Sequence, residues 1–310
     1  MSDFKGFKGQ TAVLTGAASG FGLECARIAA REGMHVVMVD VQADALAVAA
    51  AEITALAAAQ GGRVLARRVD VSSAEAMQAL ATEVQQQFGA PSFVFNNAGV
   101  GSGGLVWENT LKDWEWVLGV NVWGVVHGVR LFTPMMLAAA AADPAFQGHV
   151  VNTASMAGLL NPPNMGVYNV VKHGVVAMSE TLYQDLALVT DQVHAHVLCP
   201  YFVPTGIHAS ERNRPGDMAN EADKPTRSQL IAQAMSTKAV TSGKVSAAEV
   251  AQFVFDAMDE NRFYIYSHPR AIGLVQTRLE DILTPRNPSD PFATRPEVGE
   301  KLRAALRAVD

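Results

Sequence analysis

The chain has 310 residues, of which 49% are hydrophobic and 17% charged, and its formal net charge is −6 at pH 7. This is the balance of a globular protein with a sizeable core, and the scattered charges argue against nucleic acid or an anionic membrane surface as a partner. The chain has only 2 cysteines, so neither a disulfide framework nor a cysteine metal cluster is supported.

The N-terminal segment lacks the apolar core of a signal peptide. No later stretch of about 20 residues is both uncharged and apolar enough to span a bilayer. We therefore expect a soluble, cytoplasmic protein that acts on a small molecule.

Short apolar runs alternate with helical patterns through the first two thirds of the sequence. The predicted strands are 11–15, 35–40, 63–71, 92–99, 149–155 and 193–200. The predicted helices are 20–33, 43–59, 73–88, 111–142 and 166–190. The strands are continuously apolar, as burial on both faces requires. This order predicts an α/β fold with a doubly wound parallel sheet of the Rossmann type, in a single domain over 1–310.

The regular alternation weakens after Pro200. Segment 204–229 is polar, punctuated by proline and long for a connection, which is typical of a lid over a site. We expect a substrate loop or lid over 205–245 and a C-terminal extension over 268–310. The helices predicted here are 228–237, 246–260 and one at the C-terminus, with a strand at 263–267.

A glycine-rich turn, "TGAASGFG" at 15–22, joins the first predicted strand to the first helix. Gly16 permits the tight turn, and Gly20 and Gly22 let the backbone approach a pyrophosphate at the helix N-terminus. A glycine triplet alone is also compatible with a plain turn. Its place in the predicted sheet favours a nucleotide site.

Asp40 ends the second predicted strand, where a carboxylate can accept hydrogen bonds from an adenosine ribose. A helix N-cap is the alternative role for this residue. The carboxylate would repel a 2′-phosphate, and neither Val41 nor Ser19 supplies a compensating cation. The sequence therefore predicts NAD(H) as cofactor in preference to NADP(H).

Tyr168 and Lys172 are four residues apart in a predicted helix and so share one face. A nearby ammonium and a positive nicotinamide ring both favour ionisation of a phenol, whose ordinary pKa is about 10. Such a tyrosine could take a proton from an alcohol while hydride leaves for the cofactor. Ser155 ends a strand at the ligand-binding edge and could bond the reacting oxygen. An exposed lysine and a capping serine are the alternatives.

Over about residues 9–205 the sequence resembles the short-chain dehydrogenase/reductase family. The resemblance rests on the glycine turn, "NNAG" at 96–99, "VNVWG" around Asn121, and the Ser155, Tyr168 and Lys172 set, in the family's order. It implies a catalytic Asn121 in a water-mediated proton relay that ends at Lys172. It also implies a dimer or tetramer. The cofactor contacts that it implies are Gly16, Ser19, Gly20, Phe21, Gly22, Asp40, Asp70, Val71, Asn97, Ala98, Gly99, Tyr168, Lys172, Pro200, Val203 and Thr205.

The sequence departs from the family pattern in two places. Tyr201 stands where the family usually has glycine, and the regions 205–245 and 278–292 are additional. These features resemble members that act on bulky secondary alcohols or ketones of aryl, terpene or steroid type. Apolar residues that would suit such a substrate, or equally ordinary packing, are Leu159, Leu160, Met165, Tyr201, Phe202 and Ile207.

The remaining aromatic residues carry no separate signal. We expect core packing for Trp107, Trp114, Trp116 and Trp123 individually. No histidine set has metal-ligand spacing, so we predict no catalytic metal.

Four functions are compatible with these motifs. The leading hypothesis is an NAD-dependent oxidoreductase that interconverts a secondary alcohol and a ketone. The alternatives are an NADP-dependent carbonyl reductase, a nucleotide-binding sensor or scaffold without catalysis, and an S-adenosylmethionine methyltransferase, which also has a glycine turn.

Overall fold

The computed structural model describes residues 7–220 and 224–308, which contain one seven-stranded sheet. The strands are β1 Thr11–Thr15, β2 His35–Asp40, β3 Val64–Arg68, β4 Phe93–Asn96, β5 Gly148–Thr153, β6 Val193–Cys199 and β7 Tyr264–Tyr266. Their order is β3-β2-β1-β4-β5-β6-β7, and every neighbouring pair is parallel. The order reverses between β1 and β4, which is where such sheets open a binding crevice. The predicted doubly wound fold is confirmed.

Helices cover both faces of the sheet. They are α1 Gly20–Arg31, α2 Ala43–Ala58, α3 Ala74–Phe88, α4 Leu111–Leu118, α5 Gly124–Ala142, α6 Gly166–Val189, α7 Arg227–Thr241, α8 Ala247–Asp259, α9 Ile272–Leu283 and α10 Pro296–Arg307. One apolar core lies between the sheet and α1, α2 and α8. A second lies between the sheet and α3, α5 and α6. The inner strands β1, β2, β4, β5 and β6 are therefore buried on both faces, as their unbroken apolar runs predict, whereas the edge strands β3 and β7 are only partly buried.

The predicted helix 111–142 is one continuous helix with a local change of pitch. A π-helical turn, Gly119–Trp123, separates α4 from α5. By length and composition Leu111–Ala142 could also cross a membrane, and 39% of its most apolar window is buried inside the protein. Phe132 and Met136 on this helix belong to the second core, so the segment serves as a crossover helix of the domain.

Three elements differ from the predicted pattern. Strands β3 and β4 are shorter than the predicted 63–71 and 92–99, and helix α9 was not predicted. The predicted lid consists of two short 3₁₀ segments, Gly206–Asn213 and Gly216–Met218, followed by α7. Residues 1–6 of the predicted domain, 221–223 of the lid and 309–310 of the extension lie outside the described residues.

Candidate active site

A large cleft lies along the carboxyl ends of the strands and encloses about 1400 Å³. The glycine turn and the ends of β2 to β5 line one side, and the lid and the C-terminal extension line the other. The cleft therefore has one wall from the sheet and one from segments that follow Pro200.

The glycine turn has the backbone geometry that its sequence predicts. Gly16 and Gly20 have φ values of +64° and +56°, a conformation that favours glycine. Ser19 is the N-cap of α1, but its side chain makes no capping hydrogen bond. The first N–H groups of α1 therefore lack a side-chain partner and face a cleft that fits a pyrophosphate.

Gly22 has a packing role that was not predicted, and it does not line the cleft. A Cβ at this position would collide with the backbone carbonyl of Gly16. Gly22 therefore lets α1 pack closely against the turn, and of the three turn glycines only Gly16 and Gly20 line the cleft. The approach of the Gly22 backbone to a pyrophosphate stays a prediction.

Asp40 holds the end of β2 against the glycine turn. Its Oδ2 accepts a hydrogen bond from the Ala18 N–H at 3.0 Å, and its Oδ1 accepts one from the Gln42 N–H at 3.0 Å. The N-cap of α2 is Gln42, so the N-cap alternative for Asp40 is wrong. Because each carboxylate oxygen has two lone pairs, Asp40 can still accept hydrogen bonds from a ribose in the cleft.

The residues after β3 form the next part of this wall. Asp70 accepts hydrogen bonds from the Ser72 N–H at 2.9 Å and the Ser72 hydroxyl at 2.7 Å. Val71 is buried against Gly124, where a Cβ would lie 2.7 Å from its Cγ2. Both residues line the cleft, and their contact with an adenine stays a prediction.

Thr15 fixes the "NNAG" segment after β4. Its hydroxyl accepts hydrogen bonds from the N–H groups of Asn97, at 2.9 Å, and Ala98, at 3.0 Å. The Asn97 side chain donates to the Thr15 carbonyl at 3.0 Å and accepts from the Thr153 hydroxyl at 3.2 Å. Neither Thr15 nor Thr153 was predicted as a site residue, although Thr15 ends the predicted strand 11–15 and Thr153 lies near the end of the predicted strand 149–155.

Ser155, Tyr168 and Lys172 come together at the end of β5. Ser155 opens a 3₁₀ turn, Met156–Gly158, and its hydroxyl accepts a hydrogen bond from the Ala157 N–H at 3.1 Å. This turn packs on α6 so closely that a Cβ at Gly158 would lie 2.5 Å from the Lys172 carbonyl oxygen. The Ser155 hydroxyl also donates to the Pro200 carbonyl at 3.4 Å, and both Ser155 and the buried Tyr168 line the cleft.

Lys172 is buried at 2% exposure, and its Nζ donates to the Thr153 carbonyl at 2.8 Å. The Nζ lies 5.7 Å from the centroid of the Tyr168 ring. Burial lowers the pKa of Lys172 to about 8. The lysine is thus held beside the tyrosine by a strand carbonyl.

The pKa of Tyr168 in the chain alone differs from the prediction. Burial raises it to about 12, although the hydrogen bond from Ser155 opposes the shift. The desolvation of the phenolate outweighs the neighbouring ammonium, whose Nζ is engaged by Thr153. Without a cofactor, Tyr168 is therefore a protonated phenol at neutral pH.

Asn121 lies behind the cleft wall, in the π-helical turn. Its Nδ2 donates to the carbonyls of Val100, at 3.0 Å, and Val117, at 3.1 Å, and its Oδ1 accepts from the Val100 N–H at 3.3 Å. A Cβ at Gly99 would lie 2.9 Å from Asn121 Oδ1 and 3.7 Å from Lys172 Nζ. Asn121 therefore lies close to the site without lining the cleft, and its polar atoms are bonded to backbone.

The predicted substrate residues divide into two groups. Those that line the cleft are Leu160, Met165, Tyr201, Phe202 and Ile207. Leu159 does not line it and instead packs on the apolar cluster around Val176, so its assignment to the pocket is wrong.

The predicted cofactor residues beyond the sheet edge also line the cleft. They are Pro200, Val203 and Thr205, together with Phe21 in the first helix. Thr205 faces the glycine turn, since a Cβ at Gly20 would lie 3.4 Å from its Cγ2. Tyr201 packs against Phe202 and His268, with ring centroids 4.5 Å and 5.8 Å apart, and takes the place of a smaller residue in this wall.

A buried ion pair fastens the lid to α4. Arg214 lies 2.8 Å from Asp113, with side-chain exposures of 9% and 7%, and its guanidinium lies 5.0 Å from the Trp116 ring centroid. Asn220 adds a hydrogen bond of 3.0 Å to Asp113. Burial alone would raise the pKa of Asp113, but hydrogen bonds from Thr110, Asn220 and Arg214 hold it below its usual value.

The C-terminal extension forms a further part of the cleft wall. Leu274, Thr277, Arg278, Asp281 and Ile282 line the cleft from one face of α9. Sequence reasoning missed them, although their spacing of three and four residues is the periodicity of one helix face.

The structure tests the predictions made for the tryptophans, and its His, Cys, Asp and Glu side chains can be examined for a metal site. Trp116 is buried, but Trp107 and Trp123 are 76% and 54% exposed, so core packing was wrong for these two. Among residues 7–220 and 224–308, no group of three or more His, Cys, Asp or Glu could hold a metal ion.

Comparison with known proteins adds independent information. A model of the family described as short chain dehydrogenase matches residues 10–216. A CLA biosynthesis dehydrogenase/reductase from Lactiplantibacillus plantarum is 32% identical over 90% of this chain and 95% of that protein. A 1-deoxy-11-beta-hydroxypentalenate dehydrogenase from Streptomyces avermitilis is 34% identical over 87% of each chain.

Among solved structures, a short chain dehydrogenase/reductase from Burkholderia phymatum in complex with NAD is similar to this chain. It has a TM-score of 0.87 and 49% identity, and the match covers 92% of this chain and 98% of that one.

Proposed function

The chain belongs to the short-chain dehydrogenase/reductase family, and from this premise we propose that it is an NAD(H)-dependent oxidoreductase that interconverts a secondary alcohol and a ketone. The observation that carries the proposal is the meeting of Ser155, Tyr168 and Lys172 in the cleft that also contains the glycine turn. A sensor or scaffold would not need a buried lysine beside a buried phenol.

The sheet wall of the cleft would hold the cofactor. The Gly16–Gly20 turn and the N-terminus of α1 offer N–H groups to a pyrophosphate, and Asp40 offers carboxylate oxygens to a ribose. Asp40 carries its charge where a 2′-phosphate would lie, which favours NAD(H) over NADP(H). The similar protein from Burkholderia phymatum is a complex with NAD.

Tyr168 would act as the general acid and base. When bound, the nicotinamide supplies or accepts the hydride. In the reducing direction, the Tyr168 phenol donates its proton to the ketone oxygen, and its raised pKa of about 12 keeps this proton available at neutral pH. Ser155 orients the oxygen, and Lys172 stabilises the phenolate that remains.

The test is turnover by the Tyr168→Phe variant. We expect NADH-linked reduction of a panel of bulky ketones to fall by at least about 100-fold, as for loss of a general acid. Tyr183→Phe is the matched control, since Tyr183 lies on the same helix and is 40% exposed. Retention of most of the kcat in Tyr168→Phe would overturn the assignment. A higher kcat/KM with NADPH than with NADH would overturn the role of Asp40.

A bulky, largely apolar substrate suits the second wall. The cleft encloses about 1400 Å³, and apolar side chains such as Leu160, Met165 and Phe202 line it. The relatives named above include a dehydrogenase of a hydroxypentalenate. A panel of aryl, terpene and steroid ketones tests this class, and a preference for small, polar ketones would contradict it.

We further propose a cytoplasmic homo-oligomer, a dimer or tetramer. Trp107 and Trp123 are exposed and offer apolar surface to a second copy. A monomer mass by sedimentation equilibrium would contradict the assembly, and export of the expressed protein would contradict the location.

A further inference from the structure

Arg278 is a cleft-lining cation that is half-buried, unlike the exposed Lys224 and Arg295. Arg278 lies at the centre of the α9 face that lines the cleft, between Leu274 and Ile282. It is half-buried, and within residues 7–220 and 224–308 its guanidinium makes no hydrogen bond or ion pair. A partly desolvated guanidinium is unfavourable without an anion, so this position calls for a ligand.

The nearby carboxylate is already engaged elsewhere. Asp281 is one turn from Arg278, but its Oδ2 accepts from the Ser289 N–H at 2.8 Å, and its Oδ1 lies 3.1 Å from the Arg286 guanidinium. Asp281 is 8% exposed in its side chain, so these contacts fix it in place. Arg286 and Asp281 thus neutralise each other and leave the charge of Arg278 uncompensated.

Arg278 lies on the substrate side of the cleft. One turn before it, Val275 packs on the apolar cluster that includes Leu159 and Leu160, the residues that follow the Ser155 turn. The positive charge of Arg278 also contributes, after burial, to lowering the pKa of His173, which is next to Lys172 in the chain. Asp40 and Asp70, the residues predicted to contact the adenosine, follow strands of the sheet, whereas Arg278 lies on α9 in the C-terminal extension.

We propose that Arg278 binds a carboxylate of the substrate and is a specificity-determining residue. The substrate class is then an apolar secondary alcohol or ketone that carries a carboxylate away from the reacting carbon. A single guanidinium matches one carboxylate in charge and can hold both of its oxygens. As a statement about the substrate, this inference rests on the proposed function.

The reaction keeps the carboxylate unchanged. A keto acid, NADH and one proton give a hydroxy acid and NAD⁺, with the hydride on the carbonyl carbon and the Tyr168 proton on its oxygen. Arg278 takes part in binding only, so its loss should raise KM for acids and leave kcat nearly unchanged.

The first experiment measures binding without turnover. Calorimetric titrations use phenylalkanoates of increasing chain length and the corresponding uncharged carboxamides, with and without NADH. We expect the wild type to bind the best acid at least about tenfold more tightly than its amide, in line with a charge-assisted hydrogen bond. Arg278→Gln should remove this preference. Arg303→Gln is the matched control, because Arg303 is exposed, lies 4.0 Å from Asp290 and does not line the cleft.

The second experiment measures turnover of aryl keto acids and their methyl esters by the same three proteins. Arg278→Gln should raise KM for the acids by about tenfold and leave KM for the esters unchanged. Equal binding of acid and amide by the wild type, or an undiminished preference in Arg278→Gln, would overturn the inference. Absence of NADH binding and of any ketone reduction would instead overturn the proposed function, and the titrations on the free protein would still decide whether Arg278 binds carboxylates.

Discussion

Replacing the buried lysine of the site should make the protein more stable and inactive. Lys172 is 2% exposed, and burial lowers its pKa from 10.5 to about 8. At pH 7 it is still charged in the folded protein, so folding must bury an ammonium that water would solvate better. Lys172→Met keeps a side chain of similar length and removes this unfavourable charge.

The pKa shift of Lys172 sets the size of the expected stabilisation. A fall from 10.5 to about 8 corresponds to a loss of about 3 kcal/mol of unfolding free energy at pH 7, at 1.36 kcal/mol per pKa unit. The substitution also removes the hydrogen bond to the Thr153 carbonyl, which lowers the expected stabilisation by about 1 kcal/mol. We therefore expect Lys172→Met to be stabilised by about 2 kcal/mol, or a rise in Tm of about 3 °C.

The same pKa values determine how the stability of the wild type changes with pH. The unfolded chain binds the lysine proton more tightly than the folded one, so the wild type gains stability as pH rises from about 8 towards 10.5. At pH 9.5 the electrostatic advantage of the variant should shrink to about 1 kcal/mol. Turnover should fall by at least about 100-fold at every pH.

The assay is chemical denaturation at pH 7 and pH 9.5, at one protein concentration so that assembly does not change the comparison. Lys301→Met is the matched control, because Lys301 is exposed. The reasoning is refuted if Lys172→Met is no more stable than the wild type at pH 7, or if its advantage is the same at both pH values.

Two further predictions concern other buried charges and rings. Arg214→Gln leaves the Asp113 carboxylate without its ion-pair partner beside Trp116. We therefore expect faster proteolysis of the lid and a KM for substrate raised by about tenfold. An unchanged cleavage rate would show that the ion pair does not hold the lid. His149 and His196 are buried with an Nδ1 to Nε2 distance of 3.0 Å, and burial lowers both pKa values, that of His196 to about 4. Because the unfolded chain then binds protons more tightly, stability should fall by about 2 kcal/mol for His196 alone between pH 7 and 5. His196→Gln should lessen that fall in urea denaturation, and an equal fall in both proteins would contradict the assignment.

The sequence predicted the sheet wall of the cleft well because that wall is built from local backbone features. Strands β1 and β2 begin and end at the predicted residues, since each is an apolar run that stops at a polar or glycine position. Gly16 and Gly20 have the positive φ values that their positions in the turn require. The ligand-binding edge then follows from topology, because all the strands are parallel.

The other wall could not be predicted in the same way, because it depends on contacts between distant parts of the chain. Arg214 and Asp113 form an ion pair although about a hundred residues separate them in the chain, and the sequence around neither residue indicates its partner. Helix α9 was hard to predict because no side chain caps its N-terminus. Its apolar residues also do not form one buried face, since Leu279, Ile282 and Leu283 are exposed.

The errors at single residues have a common physical cause. Leu159 and Leu160 are neighbours in the chain and both pack against the apolar cluster around Val176, yet only Leu160 also lines the cleft. Gly22 and Gly20 likewise differ in what they face, although both fit the glycine motif. A motif specifies residue types and spacing, whereas the direction of each side chain depends on the elements that pack around it.

The two walls should therefore respond differently to change. The cofactor wall presents N–H groups and a carboxylate that β1, β2 and α1 hold in place through backbone hydrogen bonds. The substrate wall depends on side chains such as Arg214 and Arg278, which reach the cleft from segments outside the sheet. Because backbone at the sheet edge does not depend on side chains of the C-terminal extension, cofactor affinity should stay constant in variants of Arg278 while selectivity among substrates changes. The family motif lies in the cofactor wall, so it identifies the chemistry of this chain. The substrate is selected by residues of the other wall, which the motif does not include.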